Sequence, residues 1–74
     1  MTRAEQLRAL LADVDALAGA GEDTVLAALP RWDSLAILLV ISHFEHAHGL
    51  EVRGPRIRAC RTVRELLDLL PPQP

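Results

Sequence analysis

Seven consecutive apolar residues, Leu35 to Ile41, leave this chain of 74 residues few options. The run is bounded by Pro30 and Asp33-Ser34 before it and by Gly49 after it. Pro30 disfavours helical geometry at Leu29, and Asp33 and Ser34 offer side-chain oxygens to the unpaired N–H groups of a first turn. A helix over 34–48 is therefore predicted, opening at Asp33 or Ser34 and closed by Gly49 in a left-handed cap. Trp32 and Phe44 are the only aromatic residues, so the core must come from Leu, Val, Ile and Ala. Such a composition suits packed helices better than sheets, and the length suffices for one modest core, a single domain over 1–74.

The other helices follow from caps and periodicity. Thr2-Arg3-Ala4-Glu5 forms a capping-box pattern, and Leu7, Leu10, Leu11, Val14 and Leu17 then draw one apolar stripe. A first helix over 3–18 is predicted, ended by Gly19-Ala20-Gly21. The long loop that follows carries Val25, Leu26 and Leu29, which are expected to lie back over the bundle. After a turn at Gly54-Pro55, a short helix over 56–60 should face Ile57 inward. A second capping box, Thr62 to Glu65, opens a last helix over 62–70 with Val63, Leu66, Leu67 and Leu70 at helical spacing. Pro71-Pro72 ends it, and 71–74 should fray. The expected fold class is all-α, a small four-helix bundle with three long helices and one short.

The net charge of −2 hides a polarity along the chain. Residues 1–51 hold three arginines and eight acids, whereas residues 52–74 hold five arginines and two acids. Arg53, Arg56, Arg58, Arg61 and Arg64 form a basic stretch that suits nucleic acid, a membrane surface or an acidic protein partner. Its first assignment is an acidic patch on a cognate enzyme, met by Arg56 and Arg58; solvated charge is the plainer alternative. The acidic total and the apolar second helix argue against a nucleic-acid-binding module. No apolar run is long enough to span a membrane, and a cytoplasmic monomer is expected. Cys60 is alone, so no internal disulfide forms, and a small half-buried core role is expected for it.

The second helix is too apolar for a single core to bury all of it. Helical spacing assigns Leu38, Ile41 and Phe44 to the core. Leu35, Ile37 and Leu39 are assigned to an exposed surface for partner docking, with Trp32 either joining that surface or packing on the bundle.

Ser34 is the one residue whose position suggests chemistry. The helix N-terminus favours an attached phosphate, and a hydroxyl there is well placed to bear one. An enzymatic nucleophile would need a base within hydrogen-bond reach, yet His43, His46 and His48 lie two to four turns further along the helix. Ser34 thus fits the substrate of another enzyme better than a catalytic residue; its plain alternative is an ordinary N-cap. The three histidines lack a nearby cysteine, and Glu45 points to a different face from at least one of them, so a solvated helix end is expected for them and no metal site.

Asp33-Ser34-Leu35, the long apolar helix ending at Gly49, and Thr62-Val63-Arg64-Glu65-Leu66-Leu67-Asp68-Leu69-Leu70 together resemble an acyl carrier or peptidyl carrier protein. The resemblance covers roughly Glu5 to Leu70. It implies a bundle of the acyl-carrier type in which Ser34 bears a 4'-phosphopantetheine arm, transferred from coenzyme A by a phosphopantetheinyl transferase that Asp33 helps to recognise. It further implies acyl- or aminoacyl-loading and condensing enzymes as partners. Carriers of fatty acid synthesis commonly place acids on the outer face of this helix, where this chain has Ala36, Leu39, His46 and Ala47. That departure points to a free-standing carrier in polyketide or nonribosomal peptide biosynthesis. The rival reading is an unmodified helical interaction domain.

Overall fold

A computed structural model describes residues 2–71. Four α-helices and two 3-10 turns surround one apolar core, with no strand among the described residues. The helix α1 spans Arg3–Asp13 and opens on the predicted capping box: the Thr2 hydroxyl accepts from the Glu5 N–H, and the Glu5 carboxylate accepts from the Thr2 N–H at 2.8 Å. That bond holds the Glu5 carboxyl below its usual range. The helix does not reach residue 18. Val14 is extended, and a 3-10 turn at Asp15–Leu17 follows. Val14 and Leu17 are nevertheless fully buried. Apolar residues three apart lie on one side of either helix type, so their spacing could not show where the α-helix stops.

The loop from Ala18 to Asp33 is stitched to the far end of the chain. Val25 and Thr62 form a single antiparallel bridge, with the Leu26 N–H donating to the Arg61 carbonyl at 2.8 Å and the Val63 N–H to the Thr24 carbonyl at 3.1 Å. Charges reinforce it: Arg3 and Arg64 both pair with Glu22, Arg64 also with Asp23, and Arg3 with Asp68. Asp68 above all, then Glu22, raises the pKa of Arg3 further. Leu26 enters the core and Leu29 packs on its edge, as expected of an apolar loop, whereas Val25 stays exposed beside the bridge.

The central helix α2, Ser34–His48, has the predicted bounds. Asp33 caps it, and Gly49 ends it at φ 64°, with the Gly49 and Leu50 N–H groups donating back to Glu45 and Phe44. It packs against α1 and against α3, a single turn and a half at Gly54–Arg58. This third helix begins two residues earlier than expected, at Gly54, because proline is tolerated in a first turn, where its missing N–H has no partner to lose, and Pro55 takes the second helical position. Ile57 is fully buried, as its position predicts. The last helix, α4, is regular only over Val63–Leu67, after the Thr62 cap. Its end tightens into i to i−3 hydrogen bonds at Leu69 and Leu70, which still bring Leu70 into the core. Two of the predicted long helices are thus shorter than their apolar stripes. Of the predicted frayed tail, Pro71 is exposed and 72–74 lie outside the described residues.

Candidate functional site

The buried arc of α2 is Ala36, Ile37, Val40, His43 and Phe44. This corrects the assignment of side chains to faces. Ile37, expected to meet partners, is only 6% exposed, and Leu38, expected in the core, is 61% exposed. Ile41 is half-buried at the margin, and Ala36, expected outside, is buried. A run that is apolar all round carries no phase of its own. The usable signal lay further along, where Ser42, Glu45 and His46 mark the solvent side. Three and four residues back from Ser42 lie Leu39 and Leu38, and a further turn back lies Leu35.

Leu35 and Leu39 are exposed as expected, and with Leu38 they form an apolar stripe beside Ser34. Leu38 lies four residues on from Ser34, one turn along the same line. On the other flank, Leu35, Ala36 and Leu39 border an open groove of about 290 Å³ shared with Asp15, Ala16, Arg31 and Asp33. Trp32 is half-buried and packs against the core cluster, its backbone N–H donating to the Leu29 carbonyl at 3.3 Å. It therefore anchors the loop that delivers Asp33 and Ser34.

Two residues at this helix start divide their roles. The Asp33 carboxylate accepts the Ala36 N–H at 3.0 Å and is the N-cap. Ser34 is the first helical residue and is exposed, so its hydroxyl is not the cap. It instead accepts from Arg58 Nη2 at 3.3 Å, a contact that crosses from the last residue of α3. Arg56 is also exposed but borders a different groove with Leu50, Glu51, Val52, Arg53 and Leu69. The basic stretch is thus divided: Arg64 is bound into the Glu22 and Asp23 pairs, and Arg58 turns to Ser34.

The far end of α2 is built differently. His43, expected at a solvated helix end, is only 4% exposed, with its Nδ1 2.6 Å from an Asp13 carboxylate oxygen. Its ring meets His48 edge-on at a centroid distance of 5.6 Å, and His48 also stands edge-on to Phe44. Burial first, and then His43, lowers the His48 pKa. Nothing in the sequence near His43 signals this, since Asp13 is thirty residues away. His46 points outward, and among the described residues no group of three or more His, Cys, Asp or Glu side chains converges as metal ligands would. Cys60 is half-buried, its thiol donating to the Arg56 carbonyl at 3.5 Å. Burial raises the thiol pKa, outweighing the lowering by Arg56.

No helix among the described residues is long and apolar enough to cross a membrane. Comparison with protein-family models, curated proteins and solved structures finds no match in any of the three.

Proposed function

We propose that the chain is a carrier protein whose Ser34 hydroxyl accepts a 4'-phosphopantetheine arm. One observation carries the reading: Ser34 opens the longest helix exposed, and Asp33 has taken the capping duty that would otherwise occupy a serine there. The residues present suit such a group. Ser34 Oγ supplies an accessible oxygen, Arg58 brings a cation to that oxygen, and no acid other than the engaged Asp33 shares the first turn. The nearest imidazole, His43, is turned into the core against Asp13, so Ser34 has no local base and depends on a partner enzyme to remove its proton. In that transfer the Ser34 oxygen bonds to the proximal phosphorus of the coenzyme A pantetheine, the bond between the two phosphates breaks, and the adenosine bisphosphate leaves. When bound, the arm supplies a terminal thiol that holds an acyl or aminoacyl group as a thioester.

The chain's own contribution is to tether and present. Effective concentration replaces affinity, so weak docking to each loading or condensing enzyme is enough. The exposed stripe of Leu35, Leu38 and Leu39 beside Ser34 suits apolar contact better than the acid-to-base docking of fatty acid synthesis carriers. This supports a dedicated carrier in polyketide or nonribosomal peptide biosynthesis, of the acyl-carrier bundle type.

Intact mass after incubation with coenzyme A and a broad-specificity phosphopantetheinyl transferase tests the reading. One phosphopantetheine is gained by the natural chain and none by Ser34→Ala. A folded natural chain that stays at its original mass would instead make the leucine stripe the surface of an unmodified interaction domain.

A further inference from the structure

Arg58 is the residue at Ser34 to which the carrier reading gives no task once the arm is attached. Its Nη2 donates to Ser34 Oγ across 24 residues of sequence. No carboxylate among the described residues pairs with it, although the chain holds ten acids and Arg3 and Arg64 each take two of them. Its backbone is fixed as the last residue of α3, next to the fully buried Ile57, on a helix packed against α2. The guanidinium thus reaches Ser34 from an anchored neighbouring element.

Resting on the carrier reading above, we propose that Arg58 is a positioning residue for the phosphate that Ser34 carries. The non-bridging oxygens of a phosphodiester on Oγ lie two bonds beyond the atom that Arg58 already touches. Attachment exchanges a neutral hydroxyl acceptor for an anionic one, and hydrogen bonds from a guanidinium to phosphate are both shorter and stronger. Arg58 has five N–H donors in a planar fork, so it engages phosphate oxygens in a fixed direction where a lysine would act as a point charge. The nearest like charge, Asp33, is turned onto the Ala36 N–H at 3.0 Å. Held in this way, the root of the arm leaves α2 on its α3 side. Arg58 is thereby removed from the residues free for partner docking, and Arg56, which borders another groove, is left among them.

Phosphorus NMR of the modified chain tests this, with intact mass read on every sample. Arg58→Ala is expected to shift the phosphorus resonance and narrow it toward that of a mobile arm. Arg58→Lys should restore the natural signal only in part, and Arg56→Ala should leave it unchanged. A phosphorus signal indifferent to Arg58→Ala, or one that Arg56→Ala moves as far, overturns the assignment while the mass gain leaves the carrier reading standing. Absence of the mass gain in the natural chain removes both. Should the transferase refuse Arg58→Ala, the Nε–H resonance of Arg58 decides the matter in the natural chain: it moves on attachment if the guanidinium holds the phosphate, and an unmoved resonance overturns the proposal.

Discussion

The two ends of α2 treat their polar side chains in opposite ways. At the C-terminal end His43 is buried against Asp13, His48 packs on its ring, and Phe44 fills the space between the helices. At the N-terminal end Ser34 stands in solvent with an arginine contact, flanked by exposed leucines. One helix therefore joins a locked end to an open one. Burial, more than residue type, separates the polar group that holds the fold from the one free to act.

Four measurements would sharpen that contrast or break it. The largest effect is expected at the locked end, where Phe44→Ala empties a fully buried site and should cost about 3–5 kcal/mol, read as loss of cooperative thermal unfolding. Asp13→Ala comes next. It strands a buried imidazole nitrogen at a cost of about 1–3 kcal/mol, and a melting temperature unchanged by it would show that the His43 pair carries no weight.

At the open end the effects should be smaller and unequal. Asp33→Ala removes the cap and should cost about 1 kcal/mol, whereas Ser34→Ala should change stability by less than about 0.5 kcal/mol. Equal losses at the two positions would put the capping duty back on Ser34. The smallest effect is a slope. Because the folded His48 pKa lies below its ordinary 6.5, the folded state disfavours its charged form. Its stabilising contribution is present above that value and is lost as pH falls below it. His43 and Asp13 face the same cluster. His48→Leu should therefore lower, without abolishing, the fall in melting temperature between neutral and mildly acidic pH.

Local signals carried much of the architecture. Asp33 and Gly49 bracket α2, and the boxes Thr2 with Glu5 and Thr62 with Glu65 open α1 and α4, because each cap is satisfied by atoms a few residues away. What could not be read depends on distant partners. The exchange of Ile37 and Leu38 follows from where α1 and α3 lie against α2, and seven apolar residues in a row do not record that direction. Arg64 looks like its neighbours in sequence, yet Glu22 and Asp23 claim it from 41 residues away or more. Ser34 was singled out by its local pattern, while the division of labour with Asp33 and the approach of Arg58 required the folded chain.

The Val25–Thr62 bridge has a consequence for how insertions would be tolerated. Pinned near its middle, the span between α1 and α2 behaves as two short tethers, one on each side of the staple. Doubling the length of a flexible tether costs only about 0.6 kcal/mol in closure entropy. Extra residues beside Gly21 should thus leave the second tether, and with it the aim of the serine it delivers, undisturbed.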